Sequence, residues 1–451
     1  VAGGVTGPGE AAIQLNTEIN TLTLADAPAG GFVSITDASA MEILAVNASS
    51  GAITLTSLTG GLRVRGPVTS GDDAVRLRAQ AGGALTIDPG ALVRGRGVEF
   101  TADQMLLAGS PTAAGASFLA VRNDSPGRSL LLGLPGNANF LGLRQEDLST
   151  LRTTGELTIG RTIISASGDI IAAIPLDGTG PTGTFGSLRL LSGTQISLFS
   201  PGGVRTRSAQ TYEGAVSLGA NQTLLSLDGG AISIAGPVDG RFALTLNTGA
   251  GPISFGGAIG GSDPLASLAL ITTSPLSLGG NVSALGPLTF PTQVNLMGRV
   301  VTATTTNSPI LFTSGISNGS LIVNSGTGAV TFGGDVSVGT LAVNAGSIGI
   351  NRFVAAGTLN LTTTVGTLSV NSPAGLDTIV HSFGAVTIAA AGDVLIGANG
   401  GPVTTVVGDG GVTVSANGRV TVGTNDRVVG GGLLPGAPAA NVSIVGGSVV
   451  Q

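Results

Sequence analysis

Six arginines near the start of the chain have the type and spacing to bind a ligand. They form three alternating pairs: Arg63 and Arg65, Arg76 and Arg78, Arg94 and Arg96. Val64 and Leu77 lie between two of the pairs, so an extended chain would turn the arginines to an outer face. Such a face could bind acidic polysaccharide or a neighbouring subunit through bidentate contacts. The interpretation we favour is a solvated face partnered by Asp72, Asp73 and Glu99, because exposed ion pairs contribute little.

The other candidates for chemistry are few. Glycoside hydrolysis needs two carboxylates at a defined separation, but the pairs Asp72–Asp73 and Glu146–Asp147 do not recur beside another acid one repeat later. His381 is the single histidine, and its apolar neighbours indicate a strand edge or a corner. Without cysteine or a histidine cluster a zinc site is excluded, and calcium-binding Gly-Gly-x-Gly-x-Asp repeats are absent. We predict no enzyme activity, no catalytic residue, no cofactor and no metal.

The amino-acid composition indicates a narrow hydrophobic core. The 451 residues include 76 Gly, no Cys, no Trp and one Tyr, and all 19 basic residues are Arg. Charged residues make up 10%, against about 25% in an average domain. Hydrophobic residues reach 42%, nearly all Val, Leu, Ile and Ala. A mean hydropathy of +0.47 argues against disorder. Apolar runs are too short for a membrane-spanning helix, and the net charge of −6 argues against nucleic-acid binding.

Alternating apolar and polar residues predict many short strands with one buried face. Examples are Ile53–Leu55, Leu62–Arg65, Leu244–Leu246, Ile253–Phe255, Val386–Ile388 and Val420–Val422. Gly, Asn, Asp, Ser and Pro separate them, as turns require. The one helical pattern is Gln145–Arg152.

Internal repeats decide the predicted architecture. In the longer repeat, residues 244–259 align without a gap with residues 321–336, and this predicts equivalent places for Phe255 and Phe332. In a shorter repeat near the end, the unit from Val386 to Ile396 recurs from Val412 to Val422. The predicted repeat-core positions are Leu244, Leu246, Ile253, Phe255, Leu321, Val323, Val330 and Phe332.

Such a strand–corner–strand unit buries its apolar face only by stacking on further copies. We therefore predict an all-β fold, a right-handed parallel β-helix (β-solenoid) forming an elongated rod with a Val/Leu/Ile/Ala core. Turns of about 20–26 residues would give roughly 18–22 turns. Residues 1–140, with the Arg-bearing strands and an irregular loop region at 107–140, would continue into a repetitive, low-charge solenoid part at 141–451.

Three stretches carry a family resemblance: residues 209–221 (AQTYEGAVSLGAN), residues 255–261 (FGGAIGG), and DLSTL at 147–151 followed by GELTIGR at 155–161. Their sequences resemble the repeats of filamentous-haemagglutinin-like proteins, the giant β-helix repeat proteins of two-partner secretion. The resemblance covers most of residues 140–425. It implies a secreted bacterial β-helix whose relatives serve as adhesins, toxin stalks, filaments and matrix components.

Charge is spread unevenly along the chain. Fourteen of the 19 arginines lie at or before Arg207, and between Asp263 and Asp335 the only charged residue is Arg299. A neutral surface of this length favours lateral packing against other chains, or glycan decoration. We expect a structural segment of a bacterial extracellular filament, stalk or surface layer that self-associates at the cell surface. The alternative is an adhesin that binds glycans or other surfaces through loops on one face.

Overall fold

A computed structural model describes residues 5–7, 10–27, 31–108, 113–161, 166–179, 185–371, 377–397, 403–431 and 440–450. The chain divides into two compact units, Val1–Gly236 and Pro237–Gln451. Both are built from parallel, stacked strands, and 60% of the residues are in strands. The fold is a parallel β-solenoid with about 17 turns in all.

The described residues of the first unit form 24 strands and one short helix, in this order: β1 Val5–Gly7, β2 Glu10–Thr17, β3 Thr21–Ala27, β4 Val33–Asp37, β5 Met41–Ala48, β6 Ile53–Ser57, β7 Leu62–Val64, β8 Val68–Ser70, β9 Val75–Ala79, β10 Ala84–Ile87, β11 Val93–Thr101, β12 Gln104–Leu107, β13 Ala113–Arg122, β14 Ser129–Gly133, β15 Phe140–Arg144, α1 Gln145–Thr150, β16 Leu151–Thr153, β17 Glu156–Gly160, β18 Ile170–Ala172, β19 Leu176–Asp177, β20 Ser187–Leu198, β21 Val204–Thr206, β22 Gln210–Leu218, β23 Gln222–Ser226 and β24 Ile232–Ile234. Among the described residues no helix is long and apolar enough to cross a membrane.

In the second unit the part of the chain that the structure describes forms 24 strands: β25 Val238–Asp239, β26 Ala243–Gly249, β27 Ile253–Phe255, β28 Ser267–Thr272, β29 Leu276–Leu278, β30 Val282–Ala284, β31 Leu288–Phe290, β32 Val294–Thr305, β33 Ile310–Phe312, β34 Ile316–Asn324, β35 Ala329–Phe332, β36 Val336–Ala345, β37 Ser347–Ile350, β38 Val354–Thr363, β39 Leu368–Val370, β40 Thr378–Ser382, β41 Val386–Ala390, β42 Val394–Ile396, β43 Thr404–Gly408, β44 Val412–Ala416, β45 Arg419–Val422, β46 Arg427–Gly430, β47 Val442–Val445 and β48 Ser448–Val450.

Each turn of the second unit contributes three strand segments, and each segment pairs in parallel with its counterpart one turn later. The segments form three columns, named here by their leading inward residues. The first column runs through Val294, Ile316, Val336, Val354, Val380 and Val406. The second runs through Val301, Leu321, Leu341, Leu359, Val386 and Val412. The third runs through Ile310, Val330, Ile348, Leu368, Val394 and Val420.

The core lies inside these columns. Alternate residues of each strand turn inward, and the buried set is dominated by Val, Leu, Ile and Ala. All eight repeat-core positions named from the sequence are buried. Two to three apolar side chains per segment therefore fill the interior, which matches a composition poor in aromatic residues.

The two sequence repeats have different structural meanings. The shorter repeat is one turn, because Val386 pairs with Val412 and Val394 pairs with Val420. The longer repeat is not a whole number of turns. Leu244 lies in the third column, through its pairing with Leu268, whereas Leu321 lies in the second. The same strand–corner–strand pattern thus occurs in different columns, because every column requires apolar inward residues to alternate with outward residues.

The predicted equivalence of Phe255 and Phe332 is wrong for the same reason. Phe255 pairs with Leu278 in the first column, whereas Phe332 belongs to the third. There Phe290 stacks on Phe312 with ring centroids 4.7 Å apart, and Phe312 stacks on Phe332 at 5.3 Å. Stacked rings from successive turns fill one part of the third column.

Turn length varies more than the repeats indicate. Val336 is paired with Val354, which makes a short turn. Val412 is paired with Val442, and Ala113 is paired with Leu151, so these two turns are much longer. Longer turns explain why the count is about 17 and not 18–22.

The irregular loop predicted at 107–140 needs correction. Residues 109–112 lie outside the described residues, but β13 and β14 occupy much of the rest. Leu119 and Val121, then Leu130 and Leu132, alternate inward and are buried. The helix predicted at Gln145–Arg152 ends at Thr150, because Leu151 is buried and starts β16.

Buried hydroxyls close many corners. At the ends of several strands the last inward position is a Ser or Thr whose hydroxyl donates to a corner carbonyl shortly after it in the sequence. Examples are Ser57 to Thr59, Thr206 to Ser208, Ser325 to Gly328 and Thr363 to Gly366. All four side chains are buried. Each bond gives a corner carbonyl a side-chain donor, and the Gly328 and Gly366 carbonyls also accept an N–H from the next turn.

We expect Thr363→Val to destabilise the protein by about 0.5–1.5 kcal/mol, because it keeps the shape of the side chain and removes one of the two donors to the Gly366 carbonyl, the other being the Gly392 N–H. Thr363→Ser keeps the donor and is the matched control. Urea unfolding followed by circular dichroism measures the difference. Equal stability of the valine and serine variants would show that the hydroxyl does not stabilise the corner.

Candidate functional site: a charged face of the first unit

The three arginine pairs do not share one face. Arg63 lies on β7, Arg76 on β9 and Arg94 on the first half of β11, which are separate strand segments. The chain that leaves Leu62 returns to the same column only at Leu85, which pairs with Leu62. Successive arginine pairs are closer together in the sequence than these two leucines are. β7, β9 and the first half of β11 belong to different columns, so the six arginines do not line one outer face.

Most of these arginines are engaged in ion pairs. Arg63 lies 2.9 Å from Asp88 and Arg65 lies 2.9 Å from Glu42. Arg76 and Arg78 face Glu99 and Asp124, at 3.9 Å and 2.7 Å respectively. Of the three carboxylates predicted as partners, Glu99 lies opposite Arg76. The arginines are about half exposed, so each pair contributes at most about 1 kcal/mol.

A denser set of charges lies on the face that contains β9. Here the second halves of β11 and β13 stack on β9, followed by β17 and then by the first halves of β20 and β22. We call this surface the charged face; its charged residues are Arg76, Arg78, Glu99, Arg122, Asp124, Glu156, Arg161, Arg189 and Glu213. Opposite charges meet between neighbouring turns: Arg122 Nη1 lies 3.3 Å from Glu99 Oε1, and Arg189 donates from Nε to Glu213 Oε1 at 3.0 Å.

Sequence reasoning missed most of this face. The strand register brings Arg122, Asp124 and Arg161 together. Thr101 pairs with Arg78 on one side and with Arg122 on the other, and β17 continues the stack in the same register. The turn that joins β13 to β17 is one of the long ones, so no constant repeat length predicts this meeting. The sequence did contain a signal for the position of Arg122. Leu119 and Val121 alternate as inward residues of a strand, and this alternation predicts that Arg122 points outward.

Three buried carboxylates in the described part of the chain hold corners together. Asp37 accepts hydrogen bonds from Thr17, Ile19 and Ser39. Asp103 accepts from the backbone N–H groups of residues 124 and 125. Asp147 accepts from the Leu107 N–H at 2.8 Å. Each carboxylate links the backbone of one turn to another turn.

The acidic pairs singled out from the sequence are not paired carboxylates in space. In the Glu146–Asp147 pair, Asp147 is fully buried against Arg144, whereas the Glu146 side chain is 64% exposed. In the Asp72–Asp73 pair, Asp73 Oδ1 accepts from the Ala74 N–H at 2.6 Å and shapes an exposed turn.

His381 connects two successive turns. Its Nε2 lies 3.0 Å from Asp409 Oδ1, and its ring lies 4.6 Å from the ring of Phe383. Phe383 is 65% exposed, at the corner that follows β40. The histidine thus lies at a strand end beside a corner, with its side chain largely covered.

A buried polar pair interrupts the apolar core of the first unit. Tyr212 is fully buried and donates from its hydroxyl to Gln210 Oε1 at 2.8 Å. The Gln210 amide donates to the carbonyls of Val204 and Leu225. Burial raises the pKa of Tyr212 far above its usual range. These residues belong to a stretch that carries the family resemblance, and their contacts in the structure are internal.

One cavity opens beside α1. It has a volume of about 410 Å³ and is lined mainly by apolar side chains, including Leu148, Leu157, Ile174 and Phe185. Glu146 also lines it. The cavity marks the place in the first unit where a helix, not a strand, forms the solenoid wall.

Within the described parts of the chain, no group of three or more His, Cys, Asp or Glu side chains could hold a metal ion. Comparisons with protein-family models, with curated proteins and with solved structures find no match. The fold is that of a parallel β-solenoid repeat protein, consistent with giant β-helix repeat proteins.

We expect Asp37→Asn to destabilise the protein at pH 7 by about 1–3 kcal/mol, because hydrogen bonds to a buried ionised group are lost. Desolvation raises the pKa of Asp37, but the hydrogen bonds from Ile19, Thr17 and Ser39 outweigh it, so the net pKa lies below 3.8. The stabilisation is complete above pH 3.8 and is lost as the pH falls through the lower, folded-state pKa.

The measurement is urea unfolding at several pH values between 2 and 7. The variant should lose part of the acid dependence of stability that the wild type shows below pH 4. Asp72→Asn, at an exposed turn, is the control and should leave the profile unchanged. An Asp37→Asn profile parallel to that of the wild type would contradict this role of the carboxylate.

Proposed function

We propose that this chain is a structural segment of a bacterial extracellular filament, stalk or surface assembly, located at the cell surface and packed against further copies or neighbouring chains. The observation that supports this proposal most is that the buried polar groups bind other parts of the solenoid wall. Corner hydroxyls such as Ser325 and Thr363, and carboxylates such as Asp37 and Asp147, bind groups of their own or an adjacent turn. These groups stabilise the solenoid wall, as expected of a protein with a structural role.

The surface of the second unit adds a second argument. Along the second column the outward positions Thr304, Asn324, Asn344 and Thr362 form a continuous uncharged row across successive turns. The region between Asp263 and Asp335 contains one charged residue, Arg299. Freely soluble surfaces generally carry about 25–35% charged residues, so a flat, neutral and hydrogen-bonding surface of this kind favours packing against another chain.

The test is sedimentation velocity and electron microscopy of the full chain over a range of concentrations. We expect concentration-dependent assembly into regular polymers. Asn344→Asp combined with Thr362→Asp places two negative charges on paired, exposed positions of the neutral row and should weaken assembly, because like charges would meet across the contact.

Ser34→Asp combined with Thr54→Asp, at paired outward positions of the first unit, makes the same change in charge and is the control. If the wild type remained a monodisperse monomer at high concentration, the packing proposal would fail.

A second candidate function is adhesion to glycans or other surfaces through loops on one face. The long turn that joins β13 to β17 favours it, because it carries the loops at residues 123–128 and 134–139 and ends beside the cavity at α1. Electron microscopy separates the two functions. Isolated projecting rods point to the adhesin, whereas regular polymers point to the filament.

A further inference from the structure

The charged face contains an arginine without an ion pair. Arg161 directly follows β17 and is partly buried. Among the described residues no carboxylate lies within ion-pair distance of its guanidinium. The next four residues in the sequence are Thr, Ile, Ile and Ser, so none of them brings an acid. Among the other arginines without a close carboxylate in the described part of the chain, Arg94 and Arg207 are exposed and solvated, whereas Arg152, on another face, is partly buried.

Positive charge is in local excess around Arg161. The neighbouring charges that act on its guanidinium are Arg78 and Arg122 on one side of the balance and Glu99 and Asp124 on the other. With Arg161, three cations face two anions, and the difference is one positive charge. Burial lowers the pKa of the Arg161 guanidinium, and the charge of Arg122 lowers it further.

The hydrogen-bonding capacity of these side chains is also incomplete. The Nε atoms of Arg122 and Arg161 are shielded from solvent and have no acceptor among the residues that the structure describes. A partly buried cation with unused donors is costly unless an anion is bound nearby. The exposed parts of the guanidinium groups can still donate, since the Arg122 side chain is one-third exposed and Arg78 nearly half exposed.

We propose that Arg78, Arg122 and Arg161 form a binding site for a tetrahedral dianion, either free sulfate or phosphate or the phosphate group of a monoester. The excess positive charge attracts an anion. Guanidinium groups donate paired N–H bonds to tetrahedral oxyanions and are weakly hydrated, which suits a partly buried site. The site lies in the first unit, and it goes beyond the structural role proposed above.

Isothermal titration of the full chain tests the site, with sodium sulfate, sodium phosphate at pH 8 and glucose 6-phosphate as probes. Sodium acetate at matched ionic strength is the monoanion control. We expect saturable binding of the dianions and none of acetate. Tighter binding of glucose 6-phosphate than of inorganic phosphate would assign the site to a phosphate monoester, and the reverse order would assign it to the free ion. Absence of saturable dianion binding overturns the proposal without any variant.

The variant is Arg161→Gln, and Arg94→Gln is the matched control because it removes the same charge from an exposed arginine on another face. We expect the dissociation constant for sulfate to rise by roughly tenfold or more in Arg161→Gln, as for loss of a charge-assisted hydrogen bond, and to stay unchanged in Arg94→Gln.

Thermal unfolding gives a second readout with an opposite sign. In anion-free buffer Arg161→Gln should unfold at the same or a higher temperature than the wild type, because an unpaired cation is removed. Added sulfate stabilises proteins in general, so the readout is the extra rise of the wild type over the variant. Equal sulfate responses of wild type, Arg161→Gln and Arg94→Gln would overturn the proposal. This result is independent of whether the chain forms filaments.

Discussion

The backbone hydrogen bonds between successive turns are the constraint on which the rest of the structure depends. A segment such as Val386–Ala390 has few local partners for its N–H and C=O groups, and it finds them in the segment one turn earlier and the segment one turn later. Side chains must then alternate, with Val, Leu or Ile inward, because the interior is shared by all columns. Where the chain leaves the sheet, at the corners, hydroxyls and buried carboxylates supply further hydrogen bonds.

The same constraint explains how residue types are distributed over inward, corner and outward positions. Inward positions are fixed by packing, and corner positions by backbone hydrogen bonding, so outward positions are free to vary. The first unit uses them for arginines and carboxylates that pair between turns, whereas the second uses Thr, Asn and Ser. At some corners even the backbone is restricted: a Cβ atom on Gly346 would lie 2.0 Å from the Thr327 carbonyl oxygen, so only glycine fits between those turns.

The sequence was sufficient to predict the fold class, because alternation and composition report directly on a narrow core. It predicted the turn length where the repeat is regular, as at Val386 and Val412. It failed where identical patterns serve different columns, as for Phe255 and Phe332, since alternation does not say which column a segment joins. The charged face was missed for a related reason. Arg122 and Arg161 meet only after one of the longest turns, and no local pattern encodes the length of that turn.

The register of the stacked turns can be tested directly, because the chain has no cysteine. Thr387 and Thr413 are exposed partners in the second column, and neighbouring strands lie about 4.8 Å apart, within the range for a disulfide. We predict that Thr387→Cys with Thr413→Cys forms an intramolecular disulfide under mild oxidation in the native protein and not in urea. Thr387→Cys with Thr421→Cys, which joins different columns, should stay reduced. Failure of the first pair to cross-link, or equal cross-linking of both pairs, would contradict the stacked parallel turns.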